Sequence, residues 1–192
     1  MFSERERKIV NYLGEKLGKS PSHDINHYLR AAQYADQLQN IYGGNRDIAI
    51  AAILLHDLGR EEHISGPDHA VRSAELARPL LQNIGYSSTE IEQIAQAIIS
   101  HDLTEFPSLE ARIVHDADRL DGMGALGVVR IVQYCDEKGY GMGGILERLE
   151  EGMPKRIEAM SLPEAKKIAE EKYKLVREFT EQLKKDLAVQ EV

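Results

Sequence analysis

An all-α bundle of about seven or eight helices is the fold this sequence predicts, and three observations predict it. Apolar residues recur at steps of three or four almost everywhere, no stretch alternates convincingly with period two, and Gly or Pro punctuates the pattern at short intervals. Residues 4–18 place Ile9, Val10, Leu13 and Leu17 on one stripe, which Gly18 ends. Ser22 offers an N-cap after Pro21, and Ile25, Tyr28, Leu29, Ala32, Ala35 and Leu38 continue at helical spacing until Gly43-Gly44-Asn45. The segment from Asp47 to Leu58 is apolar around most of its circumference, which places it in the middle of a core. Gly59 closes it, and a loop runs through Gly66-Pro67.

Helices are expected from Pro67 to about Asn83, with Ala70, Val71, Ala74 and Leu76 inward, and from a cap at Ser88, with Ile91, Ile94, Ala95, Ile98 and Ile99 inward. Pro107 opens one long helix carrying Leu109, Ile113, Val114, Leu120, Leu126, Val129 and Val132. A Gly-rich loop at 139–144 precedes a helix near 145–160. The last helix runs from Pro163 to about residue 188, with Ile168, Tyr173, Val176, Phe179, Leu183 and Leu187 inward.

Composition narrows the function. The chain has 192 residues, which suits one domain, with 42% hydrophobic and 29% charged residues. A net charge of −8 argues against a broad nucleic-acid footprint but leaves room for a small phosphorylated ligand held by a few Arg side chains. The lone Cys135 excludes a disulfide framework and a thiolate zinc site. The charged start and the lack of a long apolar run imply a soluble, cytoplasmic protein with no membrane contact.

Four of the seven histidines directly precede Asp: His23, His56, His101 and His115. The dipeptide alone carries little information, so context must separate them. His56-Asp57 ends the most buried helix, where imidazole and carboxylate are costly unless paired or bound to metal, and where the helix dipole disfavours an anion. Asp118 lies among helical core positions in Ile113-Val114-His115-Asp116-Ala117-Asp118-Arg119-Leu120-Asp121. Together they suggest a mixed nitrogen and oxygen site for Mn²⁺, Mg²⁺, Fe or Ni. A further imidazole would come from His27 or from His23, four residues earlier on the same face.

These residues, in this order, resemble the HD-domain superfamily of metal-dependent phosphohydrolases. The strings Ser22-His23-Asp24-Ile25-Asn26-His27, Leu54-Leu55-His56-Asp57-Leu58-Gly59-Arg60 and Asp116-Ala117-Asp118-Arg119-Leu120-Asp121-Gly122 carry the resemblance. The last is similar to the DADRLDAIGA segment of a branch resembling nucleotide pyrophosphohydrolases, as is the closing stretch from Met160 to Leu187. The resemblance implies a single HD domain over 1–192, with a helical extension at about 145–188. It puts the metal ligands at His27, His56, Asp57 and Asp118, with His23 a neighbour, Asp24 orienting a ligand or loop, and Asp116 and Asp121 in supporting positions. Arg119 matches a position that faces substrate phosphate in relatives; from guanidinium chemistry alone, Arg60 and Arg30 are further candidates to clamp phosphate.

One departure stands out. Where mononuclear relatives often carry Glu for proton transfer, this chain has Arg60, followed by Glu61 and Glu62, either of which is a candidate relay or a solvated loop charge. His69 and His101 fall where dinuclear relatives supply a second pair of imidazoles, or else simply sit at helix ends. The implied cofactor is one or two divalent ions per chain, among Mn, Mg, Fe, Ni and Co. The implied reaction is hydrolysis of a phosphate ester or anhydride, with a nucleotide as the partner molecule. Alternatives are a dinuclear iron oxygenase, a non-catalytic nucleotide-binding HD protein, and a homo-oligomer contact through the charged last helix.

Overall fold

The expected all-α class is what the chain adopts: in a computed structural model describing residues 2–16, 25–60 and 68–188, helices are the only regular elements among the described residues. They group into two compact units, Met1–Asp118 and Arg119–Val192.

The first unit is built around α3 (Arg46–Leu55), whose residues from Ile48 to Leu55 are all buried. Asn45 starts it, its side chain accepting from the Asp47 and Ile48 amides at 3.1 and 3.4 Å. A helix buried all round needs neighbours on every side, and α3 packs against α1 (Glu4–Lys16), α2 (Ile25–Tyr42) and α5 (Ser88–Ser100). The fourth helix, α4 (Asp68–Ile84), lies along α5. The cap of α5 is Ser87, one residue before the expected Ser88, in a reciprocal capping box with Glu90. Val71 and Leu76 of α4 are exposed rather than inward, and the buried stripe is the smaller set Ala70, Ala74, Ala77 and Leu81.

The single long helix expected after Pro107 is two. Here α6 (Leu109–Asp121) ends in tight turns, with the Gly122 amide donating to Arg119 and the Met123 amide to Leu120. Gly124 then takes a φ of +72°, a left-handed value that a β-carbon disfavours, and α7 (Gly124–Lys138) starts there. Val129 and Val132 of α7 are exposed rather than inward.

In the second unit, the Gly-rich stretch is not a loop throughout, because α8 (Gly141–Glu147) begins inside it. A π-helical turn (Arg148–Gly152), α9 (Met153–Glu158) and α10 (Pro163–Leu187) follow. On α10, Val176 is buried as expected, whereas Phe179 and Leu187 are exposed. The Ser22 cap and the end of the first helix near Gly18 lie outside the described residues. No described helix is long and apolar enough to cross a membrane.

Candidate metal centre

The first unit gathers four imidazoles and three carboxylates. His27 sits near the start of α2, His56 and Asp57 just beyond α3, His69 at the start of α4, His101 and Asp102 just beyond α5, and Asp118 on α6. The imidazoles form a row: ring centroids are 5.3 Å apart for His27 and His56, 5.0 Å for His56 and His101, and 5.3 Å for His101 and His69.

Local backbone geometry aims two of these rings. His56 Nδ1 donates to the Ile53 carbonyl at 2.7 Å, and His101 Nδ1 donates to the Ile98 carbonyl at 2.6 Å. With the Nδ1 proton held by a carbonyl three residues back, the neutral ring keeps its lone pair on Nε2, the atom turned toward the cluster. The turn carrying Asp57 is fixed just as tightly. Leu58 and Arg60 amides donate back to Leu55 and Asp57 carbonyls at 3.2 and 3.0 Å, and the Gly59 amide donates to the buried Ser73 hydroxyl of α4 at 2.8 Å. Arg72 of α4 also donates to the Gly59 carbonyl. A β-carbon at Gly59 would lie 2.6 Å from the Ser73 nitrogen, so only glycine lets α4 approach this closely.

Asp118 Oδ1 stands 3.5 Å from both His27 Nε2 and His56 Nε2. Asp57 divides its two oxygens: Oδ2 is 3.6 Å from His56 Nε2, while Oδ1 is 3.3 Å from His69 Nε2 and 3.8 Å from His101 Nε2. Arg60, 42% exposed, places Nη1 3.3 Å from Asp57 Oδ2. Among the described residues, three donor groups are close enough to share a cation: His27, His56 and Asp118; His56, Asp57 and His101; and His69, His101 and Asp102.

Electrostatics agree with a site made for positive charge. Burial alone would push the His56 imidazole down, but Asp57 and Asp118 outweigh it and push it up to about 9. Burial would likewise raise Asp57 and Asp118; instead the imidazoles beside them, His56 and then His69 for Asp57 and His56 above all for Asp118, hold both carboxyls below the usual range. His101 is lowered by burial and then by the charge on His56. A proton on His56 thus supplies the charge that the carboxylates favour, and a cation would displace it. The donor set fits a metal on one further observation: His56 Nε2 is completely buried without a hydrogen-bond partner, which is costly for a polar atom that bonds nothing.

The structure brings together six of the expected residues, His27, His56, Asp57, Asp118, His69 and His101, with Arg60 against them. Arg30 stands one turn after His27 on α2, half-buried. Arg119 follows Asp118 on α6 and belongs to the second unit. Asp121 is buried and accepts from Arg130 at 2.8 Å. His115 is buried, donates from Nδ1 to the His101 carbonyl at 2.8 Å and packs on Phe106. His23, Asp24, Glu61 and Glu62 lie outside the described residues. Asp102 was missed by reasoning from the sequence; the available signal was that His101-Asp102 ends an amphipathic helix as His56-Asp57 ends α3.

A model of the HD domain matches residues 24–123, a span that includes every histidine and carboxylate of this cluster. The chain belongs to the HD-domain family. Among relatives, the Bacillus subtilis protein YpgQ is 27% identical over 180 residues, covering 88% of this chain and 86% of its own. Its crystal structure in complex with ADP superposes with a TM-score of 0.80 over 96% of this chain and 95% of that one, at 23% identity. An HD-superfamily hydrolase from Bacillus thuringiensis is 28% identical in structure alignment, with a TM-score of 0.77 over 97% of this chain and 98% of that one. The expectation of an HD-domain hydrolase thus holds at the level of the family.

Proposed function

We propose that this HD domain hydrolyses a phosphate ester or anhydride of a nucleotide, using one or two divalent cations held by His27, His56, Asp57 and Asp118, with His69 and His101 on the far side of Asp57. The observation that carries the reading is the convergence of two imidazole nitrogens on one oxygen of Asp118, beside the buried Asp57. A divalent ion there would polarise a phosphoryl oxygen and lower the pKa of a water beside it. The nitrogen and oxygen donors suit Mn, Mg, Fe, Co or Ni.

The chain's own groups have separable tasks. His56 and His101 present Nε2 because their Nδ1 protons are tied to backbone carbonyls. Asp57 links the two halves of the imidazole row through its two oxygens. Arg60 balances Asp57 while its exposed guanidinium, with five N–H donors, reaches toward phosphate oxygens. Arg119 and Arg30 are proposed as further phosphate contacts, and Glu61 or Glu62 as a proton relay. A nucleotide substrate is supported by the ADP complex of YpgQ and by the DADRLD-type string around Asp118.

The test is phosphate and pyrophosphate release from a panel of nucleoside mono-, di- and triphosphates by chelator-stripped protein, with each of Mn²⁺, Mg²⁺, Fe²⁺, Co²⁺ and Ni²⁺ restored. Metal-dependent release from at least one nucleotide, lost in Asp57→Ala with helical circular dichroism retained, is expected. Release unaffected by Asp57→Ala, or none from any nucleotide with any metal, contradicts the proposal. The two-sided arrangement around Asp57 also favours a second reading, a diiron oxygenase; O₂-dependent turnover with iron alone would select it.

A further inference from the structure

We infer that Asp102 is a metal ligand, forming with His69, His101 and Oδ1 of Asp57 the second cation position of this chain. The inference rests on the metal-binding reading above and adds a carboxylate to it. Asp102 Oδ2 lies 3.3 Å from His69 Nε2 and 3.8 Å from His101 Nε2. Asp57 Oδ1 faces the same two nitrogens at 3.3 and 3.8 Å. Two imidazole nitrogens are therefore flanked by one oxygen from each of two carboxylates.

The backbone builds this position as it builds the first. His56 caps α3 and His101 caps α5, both in right-handed helical conformation, at φ, ψ of −58°, −35° and −63°, −26°. Each ring ties Nδ1 to the carbonyl three residues back, and each is followed by an aspartate that the helix dipole disfavours at a C-terminus. Without Asp102, the His69 and His101 half of the cluster has only its share of the charge on Asp57. Asp102 adds a full negative charge, making the position a mixed nitrogen and oxygen site suited to a hard ion such as Mn²⁺. It is also the most open donor of its group, with its side chain 42% exposed against 7% for His69 and 2% for His101, so this ion exchanges with solvent more readily than one deep beside His56.

Mn²⁺ titration of the metal-stripped full chain, read by calorimetry and by electron paramagnetic resonance, tests this. Wild type is expected to bind two Mn²⁺ per chain and to show a spin-coupled signal. Asp102→Asn and Asp102→Ala should keep one Mn²⁺ at wild-type affinity, weaken the second on the order of 10–100-fold, and lose the coupled signal at the Mn²⁺ concentration that fills wild type. Unchanged metal-free melting of either variant separates a lost ligand from a lost fold. Two wild-type-like Mn²⁺ in both variants, or only one Mn²⁺ in wild type, overturns the role of Asp102 and leaves the first position standing. No Mn²⁺ binding by wild type overturns the underlying metal reading.

Discussion

At the scale of single residues, buried charge is the recurring theme, and the metal centre is not its only instance. Glu6 of α1 is fully buried and is held by Arg46 at 2.6 Å and by the Ser3 amide at 2.7 Å, while Arg46 also reaches Asp36 at 2.6 Å. Removing the guanidinium would leave a buried carboxylate with only part of its compensation. Arg46→Ala is expected to destabilise the chain by about 2–3 kcal/mol, measured by urea denaturation. A loss under about 0.5 kcal/mol, the range of ordinary surface substitutions, would show that Glu6 is not held as described. In the metal centre the same physics made part of the site legible: His56 and Asp57 stand out because the residues before them, Ile48 to Leu55, are all apolar and buried. Asp102 did not stand out, because its helix is half polar and a His-Asp pair at the end of such a helix is unremarkable until His69 is seen opposite.

At the scale of elements, the site depends on where helices stop and what grips the turns after them. The turn after α3 is stapled to α4 through Gly59, Ser73 and Arg72, which sets Asp57 against His69. Gly59→Ala would drive a β-carbon into the Ser73 nitrogen and the Arg72 carbonyl carbon, at 2.6 and 2.9 Å. The expected cost is about 1–3 kcal/mol of stability, together with weaker Mn²⁺ binding, since the turn must shift to relieve the overlap. Wild-type metal affinity and melting in Gly59→Ala would contradict this coupling. Helix existence was readable from apolar spacing, but helix breaks were less so. The spacing of Leu120, Leu126, Val129 and Val132 reads through Gly122-Met123-Gly124, and the break coincides with the left-handed φ of Gly124, which spacing cannot report. Inward faces failed for a related reason. On α4 the packed stripe is mostly alanine, so the larger Val71 and Leu76 attracted the assignment although they face outward.

At the scale of the whole molecule, the donors of the first position come from helices far apart in sequence, and their convergence is the product of the fold. The sequence supplied the residue types and their order, and the resemblance to HD domains supplied the pairing of His27 with His56, Asp57 and Asp118. Neither gave the distances, nor the split of Asp57 between two sets of imidazoles, which depends on how α4 and α5 lie against each other. What this convergence is proposed to do is hold a cation. Equilibrium dialysis of chelator-stripped wild type and of a His56→Ala, Asp118→Ala double variant against Mn²⁺, with metal counted per chain, tests it most directly. Bound Mn²⁺ in wild type and loss of at least one equivalent in the double variant are expected; equal metal content in the two would mean that these side chains hold no cation.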